Sequence, residues 1–367
     1  MKQFDPSWTS NSEKHHLVPN TYLKGWQHTD SKVYYIDKNE NQIDFTNQNF
    51  SKNTRKINRV DNFYSRRVGA LFQSKLDCDK YFAPLKQHGY TVKIDGVKVS
   101  NSIELNKNFY NYDKWGIYDV HAKLISEDDK KSLKEKIKSI HIRDLEEAWN
   151  QLYENPWPSV RNDIVTEINR NIGVDKIPSV RREDLVKFMV SIEWRTEPAP
   201  QLLKNNYNKI VKLLGIEDIL KDPIPDEDKM YPFINTYGDD FLHNYLLKQY
   251  YDLFNNTGPI YKSAQNICNT MNLELLIPET GYEFITSDNP VFPFLNKNND
   301  TEYIFPITPD LACAVRKGNP VDKEHYFLTS LNKNEVFAYN EQIKKGCNKG
   351  YILRQPSIST YFNQGTV

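Results

Sequence analysis

The sequence predicts an α+β fold, in which N- and C-terminal strands form a mixed or antiparallel sheet packed against a central helical layer. Three observations support it: strand-like patterns near the N-terminus, helical spacing of apolar residues over about 125–265, and short apolar strands afterwards. Although 367 residues would allow two domains, we expect a single α+β domain at 14–352. It lies between a loose polar N-terminus, 1–13, and a C-terminal tail, 353–367.

Two β-hairpins are predicted in the first third of the chain. Residues 33–45, VYYIDKNENQIDF, place β-branched and aromatic residues on both sides of a polar turn. Residues 90–100, YTVKIDGVKVS, alternate around Asp95-Gly96, a pair suited to a tight turn with positive φ. The second hairpin lies within a polar segment at about 74–118, which we interpret as a variable insertion.

The middle of the chain, about 125–265, is predicted to be a helical subdomain. A capping box of Ser126 and Asp129 begins a helix whose apolar spacing continues to about Tyr153. We expect the prolines that follow to end it. Two more helices are predicted at 179–196 and 241–254.

The last third returns to strand patterns. Four short apolar segments are separated by Pro, Gly or Asn turns, and a helix is predicted over about 332–345. The four predicted strands are MNLELLI, YEFITS, YIFPI and LACAVR.

Composition excludes several classes of protein. Lys+Arg and Asp+Glu both number 48, so the chain as a whole is not a cationic sheath for nucleic acid. Four widely spaced cysteines predict neither disulfides nor a zinc knuckle and favour a reducing cytoplasm. The sequence shows no signal peptide, membrane span, Walker A loop, G-x-G-x-x-G, G-x-S-x-G or H-E-x-x-H motif.

The densest polar motif is HHLVPNTYL, which contains His15, His16, Asn20 and Tyr22. A neutral imidazole close to a helix that begins near Pro19 could serve as a general base or a metal ligand. In the alternative interpretation one histidine caps the helix and the other is solvated.

Two further segments carry candidate residues. Arg195 ends the helix at 179–196 and could grip a phosphate or carboxylate, or pair with Glu193 or another acid near the helix end. Asp288 and Asn289 follow the strand YEFITS. Asp288 could be a base, a metal ligand or the partner of a histidine, or it could only form an Asx turn.

A local basic stretch is interleaved with aromatic residues and could contact a phosphate backbone, although a solvated loop is the simpler interpretation. Its cations are Lys52, Arg55, Lys56, Arg59, Arg66 and Arg67, and its aromatics are Phe50, Phe63 and Tyr64.

In their order along the chain, these motifs resemble a known family. HHLVPNTYL resembles the H-H-x-V-P-x-x-Y-L signature of the domain of unknown function 4238 family, which is found mainly in bacteria. FMVSIEWRTEP resembles its helix ending in Gln-x-x-Arg-Thr-Pro, and FITSDNPVF resembles its S-D-N-P-V strand end. The resemblance spans roughly 14–352. The chain departs from the pattern at Glu193, where the family tends to have an amide, and at Glu197, which interrupts the Arg-Thr-Pro run.

The resemblance transfers no activity. It implies that polar residues of the defining segments share one site, and these residues are His15, His16, Asn20, Arg195, Asp288 and Asn289.

Our first hypothesis is a hydrolase of a phosphodiester in nucleic acid or a nucleotide, suited to a bacterial defence or toxin protein. His15 or His16 would be the acid or base, Arg195 would stabilise phosphate charge, and Asp288 would orient the imidazole or hold a divalent ion such as Mg²⁺. Substrate would be positioned by Asn20, Tyr22, Glu193 and Asn289.

The alternative is a non-enzymatic sensor or partner-binding module whose polar signature residues are structural. A third interpretation, a metal-dependent hydrolase of a small molecule, would need a further ligand. The metal, a protein partner and the oligomeric state stay open.

Overall fold

The computed structural model describes residues 3–40, 42–70, 73–196, 199–215, 217–226, 229, 231, 233–295 and 301–363. Within these ranges the chain has an α+β fold, as the sequence predicts. No helix in these ranges is both long and apolar enough to cross a membrane.

The helices are α1 Asn20–Leu23, α2 Lys75–Tyr81, α3 Ala83–Gln87, α4 Ser102–Lys107, α5 Glu127–Lys138, α6 Asp144–Trp149, α7 Trp157–Arg170, α8 Arg182–Glu193, α9 Ala199–Leu214, α10 Tyr237–Phe254, α11 Gly258–Thr270 and α12 Lys333–Gly346. A π-helical turn, Asn150–Glu154, follows α6 directly.

The strands are β1 Lys14–His16, β2 Lys32–Asp37, β3 Ser51–Asn53, β4 Arg59–Asp61, β5 Thr91–Ile94, β6 Val97–Val99, β7 Gly116–Tyr118, β8 Lys176–Pro178, β9 Met271–Pro278, β10 Thr286–Ser287, β11 Phe292–Leu295, β12 Thr301–Thr308, β13 Leu311–Lys317, β14 His325–Leu331 and β15 Gly350–Leu353.

A six-stranded sheet in the order β11-β12-β13-β9-β14-β8 organises the core. Side chains alternate between its faces with the strand period of two. Leu273 and Leu275 pack with the helical layer of α7, α8, α10 and α11, whereas Leu276 joins a second cluster. That second cluster lies between the sheet, α12 and the strands around β15. The sheet is therefore covered on both faces.

N- and C-terminal segments meet in a four-stranded sheet ordered β10-β15-β2-β3. The predicted hairpin at 33–45 is wrong: β2 pairs with β15 and β3, and 42–45 form no strand. Asp44 accepts the amides of Thr46 and Asn47, so this segment satisfies its backbone locally in a turn. Residue 41, within the predicted turn, lies outside the described ranges.

The hairpin around Asp95 is confirmed. β5 and β6 pair through a turn in which Asp95 and Gly96 have φ of 50° and 79°. β7 adds a third strand, and these strands pack with α2–α5 around their own hydrophobic cluster, which includes Trp115.

The helix predicted from Ser126 to Tyr153 is interrupted. Its capping residue is confirmed, but α5 ends at Lys138, and the backbone of Ile142 exchanges two hydrogen bonds with Arg66 before α6 begins. The pairing of Ile142 with Arg66 therefore interrupts the predicted helix between α5 and α6. The prolines also act differently from the prediction: Pro158 occupies the first turn of α7, where a missing N–H costs little.

Candidate functional site around His16

Backbone and side-chain hydrogen bonds join the three predicted segments. β1 pairs antiparallel with β4, which places His16 opposite Arg59. Beyond α8, the Arg195 guanidinium donates to the His16 carbonyl at 2.6 Å. The adjacent Thr196 donates through its hydroxyl to Asn289 Oδ1 at 3.1 Å. The segments thus meet, although not through all the side chains that the sequence nominated. Residue 197, which interrupts the family pattern, lies outside the described ranges.

Arg195 lies in a closed cage and is only 1 % exposed. Its Nη1 donates to Glu154 Oε1 at 2.8 Å, and its Nε donates to Tyr64 Oη at 3.1 Å. The guanidinium carbon lies 4.7 Å from the centroid of the Trp149 ring. Burial alone would lower the pKa of Arg195, but Tyr64 and the carboxylate of Glu154 raise it. The cation is therefore fixed and charge-compensated.

Glu146 adds a second carboxyl group to this buried region. Burial raises its pKa to about 8, an effect that nearby Arg195 opposes and Glu154 reinforces. Its Oε2 makes no hydrogen bond with the described residues. Burial thus disfavours a charge on Glu146, and the ion pair of Arg195 is the one with Glu154 at 2.8 Å.

His15 is fully buried on the inward face of β1. Its Nδ1 accepts the Tyr64 backbone N–H at 2.8 Å, which places its proton on Nε2, and Nε2 donates to the Ser12 carbonyl at 3.1 Å. Burial lowers the pKa of His15 to about 4. Both ring nitrogens are committed, and His15 acts as a neutral structural link.

His16 faces the opposite way and is half-buried. Its Nε2 lies 3.1 Å from the Arg55 carbonyl, which can only accept, so the proton is on Nε2. Its Nδ1 lone pair has no hydrogen bond from the described part of the chain. Burial lowers the pKa of His16, and Arg59 contributes in the same direction. His16 is a neutral, oriented imidazole with one free nitrogen, the form a general base requires.

Exposed cations lie on the segment 55–59, which accepts a hydrogen bond from this imidazole and pairs with β1. Arg55, Lys56 and Arg59 are exposed, and no ion pair joins them to a carboxylate of the described residues. The rest of the predicted basic stretch differs: Arg66 binds Asp77 and Asp144, and Arg67 pairs with Asp240, all buried. Lys52 is exposed, with its ammonium 3.9 Å from the Tyr35 ring centroid.

The predicted turn residues hold the C-terminal segment. Asp288 is 5 % exposed, and its two carboxylate oxygens accept the amides of Asn348 and Lys349 at 2.8 and 2.6 Å. Asn289 donates to the Gly346 carbonyl at 3.0 Å. Both side chains fix the connection between α12 and β15.

The remaining candidates lie in three environments. Tyr22 is buried and donates to the Pro306 carbonyl at 2.8 Å. Asn20 is half-buried, and its Oδ1 is enclosed without a hydrogen bond from the described residues. Glu193 ends α8, and burial raises its pKa to about 7. Within the described chain, the side chain of His16 bonds the Arg55 carbonyl and none of these three side chains.

The sequence predictions did not include Glu154 and Tyr64 among the residues of this region. Tyr64 stood out only as an aromatic in a basic stretch, and Glu154 follows the end of a predicted helix. The π-helical turn ending at Glu154 is the local irregularity that marks the site, and apolar spacing does not reveal it. Within the described residues, no group of three His, Cys, Asp or Glu side chains is arranged to hold a metal ion.

Residues 14–357 match the family described as "Protein of unknown function (DUF4238)", and the chain belongs to this family. No curated protein and no solved structure shows significant similarity to the chain.

Proposed function

For this member of the DUF4238 family, we propose hydrolysis of a phosphodiester in nucleic acid or a nucleotide, with His16 as general base. The observation that carries the proposal is the free Nδ1 of an imidazole whose other nitrogen is held by the Arg55 carbonyl. Such a nitrogen can take a proton from an attacking hydroxyl or water. Arg195 acts as a positioning residue, since it bonds the His16 carbonyl from within its cage.

The cations supply the second part of the proposal. Arg59 lies opposite His16 on the paired strand, so both side chains share a face of the ribbon. Together with Arg55 and Lys56 it provides uncompensated positive charge for a phosphate group. Neutral net charge of the whole chain is compatible with such a local patch.

The test is turnover of single-stranded RNA, single-stranded DNA and dinucleotides, with and without Mg²⁺. His16→Ala should abolish cleavage, and Arg59→Ala should weaken substrate binding in a salt-dependent manner. The matched control is His121→Ala, because His121 is an exposed histidine in another part of the chain. Wild-type protein that binds none of these substrates, or equal turnover by His16→Ala, would contradict the proposal.

A non-enzymatic binding module is the second candidate. It is favoured by the internal hydrogen bonds that occupy the polar groups of His15, Arg195 and Asp288. This function predicts that wild-type protein binds nucleic acid without turnover and that His16→Ala binds equally well.

A cytoplasmic defence or toxin role is part of the first proposal. Three of the four cysteines are buried and all are free, which suits a reducing compartment. Growth arrest on expression of the wild type but not of His16→Ala, or protection from phage that requires His16, would support it. If a strain that carries the active protein shows neither growth arrest nor protection from phage, this role is overturned.

A further inference from the structure

A second cationic surface lies on the three-stranded sheet ordered β6-β5-β7. One face of this sheet is packed, because Val92 and Ile117 are no more than 3 % exposed and belong to the cluster formed with α2–α5. Successive side chains of a strand point to opposite faces. Lys93, Lys98 and Tyr118 therefore lie on the other face of a sheet whose packed side holds it in place.

Two lysines are directly opposed on this outer face. Lys93 and Lys98 are register partners on β5 and β6, and both are exposed. Opposed side chains have Cβ atoms about 4.5–5.5 Å apart, a separation at which like charges destabilise a sheet. Neither ammonium forms an ion pair with a carboxylate of the described residues. The pair thus concentrates positive charge that no acidic side chain in this part of the chain compensates.

Tyr118 lies next to the lysine pair on β7. Lys93 is also the register partner of Gly116, two residues before Tyr118. A Cβ at Gly116 would lie 3.1 Å from Tyr118 Cε2 and 3.3 Å from its Oη, so the tyrosine ring leans back along the strand over the glycine. Glycine at this position leaves the space in which an aromatic ring lies beside two ammonium groups.

The contact that Tyr118 makes with Lys93 is exchangeable. The Lys93 ammonium lies 4.7 Å from the centroid of the Tyr118 ring, and no aromatic ring of the described chain stacks on that ring. Lys93 is exposed and its four-carbon stem is flexible. Stacking of a base on an aromatic ring is stronger than an exposed cation–π contact. A base can therefore displace the ammonium, which then becomes available to a phosphate.

From these observations we propose that the outer face of the β6-β5-β7 sheet binds single-stranded nucleic acid, with a base on Tyr118 and phosphates on Lys93 and Lys98. An aromatic ring beside cations is the arrangement that binds single strands without reading their sequence. A duplex offers the same phosphates, but its bases are already stacked on one another. This surface is separate from the phosphodiester chemistry proposed at His16.

The test is fluorescence anisotropy with a labelled strand of about 12 thymidines, within the site sizes of such surfaces. The full chain carries His16→Ala throughout, so that the reaction proposed at His16 cannot consume the strand. Lys93→Ala combined with Lys98→Ala should reduce the slope of log K against log[salt] by about 1.4, at 0.7 for each phosphate contact. The matched control is Lys131→Ala combined with Lys136→Ala, which removes the same charge from exposed positions on α5.

The stacking contact is tested separately. Tyr118→Leu should weaken binding roughly 5- to 150-fold, the range for loss of one stacked base, and should leave the salt slope unchanged. Tyr118→Phe keeps the ring and should bind as its parent does. An abasic strand of the same length should bind more weakly than the thymidine strand and should not respond to Tyr118→Leu.

Each outcome decides the proposal. Weaker binding in the lysine and leucine variants, with both controls unchanged, would support it. No binding by the parent at roughly 50 mM salt, where phosphate contacts are strong, would overturn it, as would equal losses in the lysine pair and its control. Equal affinity for the abasic strand would overturn the stacking contact, and tighter binding of a duplex would overturn the assignment to single strands. Binding is measured without cleavage, so loss of turnover in His16→Ala and loss of binding in these variants are separate results.

Discussion

Two sides of one short strand have opposite chemistry. On the inward side of β1, His15 uses both ring nitrogens and belongs to the same buried region as Arg195. On the outward side, His16 has a free Nδ1 and contacts the segment 55–59, whose cations have no carboxylate partners in the described chain. The two residues are adjacent in sequence and share a residue type, yet the alternation of a strand separates them completely.

The difference between the two sides indicates which residues stabilise the fold and which are available for chemistry. Polar groups on the inward side satisfy one another, so removing one leaves its partner buried and unpaired. Groups on the outward side remain available to a ligand, so removing one should affect activity more than folding. Four substitutions test this division, in order of their expected effect on stability.

Arg195→Met should be the most destabilising. It leaves Glu154 without its cation and should lower the free energy of unfolding by about 3–5 kcal/mol, the typical cost of breaking a buried ion pair. Urea denaturation measures the change. Adding Glu154→Gln to Arg195→Met removes the stranded charge and should recover part of the loss. A loss below about 1 kcal/mol, the range of exposed pairs, would show that the cage is not closed.

His15 should make stability depend on pH. Its folded pKa of about 4 lies below the ordinary value of 6.5, so the unfolded chain takes up a proton first as the pH falls. The wild type should therefore lose up to about 3 kcal/mol between pH 6.5 and 4 through this group.

The comparison variant is His15→Asn, whose side-chain oxygen can still accept the Tyr64 N–H. It should be less stable than the wild type at pH 7, and the gap should narrow as the pH falls to about 4. Unfolding free energies measured at both values check this. A gap that stays constant would mean that His15 does not titrate as its burial requires.

Asp288→Asn should cost about 1–3 kcal/mol, the penalty for a buried unsatisfied group. The new amide nitrogen cannot accept a backbone N–H, so either Asn348 or Lys349 loses its partner. Thermal denaturation against Asp61→Asn, an exposed acid on β4, measures the effect. If Asp288 instead acts in chemistry, its variant should lose turnover while it unfolds like the control.

His16→Ala should have the smallest effect on stability, about 1 kcal/mol or less, because it removes a single hydrogen bond to the Arg55 carbonyl. Its effect on cleavage should be the largest of the four. Circular dichroism and the nuclease assay on the same preparation give both quantities. Unfolding of this variant would place His16 with His15 as a structural residue.

Local patterns predicted many of the elements because they depend on near neighbours. The alternation around Asp95 predicted β5 and β6, and the spacing within 241–254 predicted most of α10. The strands β9, β12 and β13 were also identified from their apolar runs. In contrast, the sequence predictions did not include β14 and β15, which pair with β9 and β2.

The candidate site was only partly accessible from sequence. Motif reasoning placed the histidine segment, the end of α8 and the SDNP turn in one site, and hydrogen bonds do connect them. It gave equal standing to His15 and His16, because no local pattern indicates which side of a three-residue strand is buried. It overlooked Glu154, whose carboxylate forms an ion pair with Arg195.

The sequence by itself determined the α+β class, the main helices and which segments carry polar residues, because these follow from periodicity and residue type. The tertiary structure alone decided that Arg195 and Asp288 are buried and hydrogen-bonded within the protein and that His16 keeps a free nitrogen. Burial and hydrogen-bond partners are set by segments that are distant in the chain: 179 residues separate Arg195 from His16, and 60 separate Asp288 from Asn348. Local sequence carries no record of such contacts.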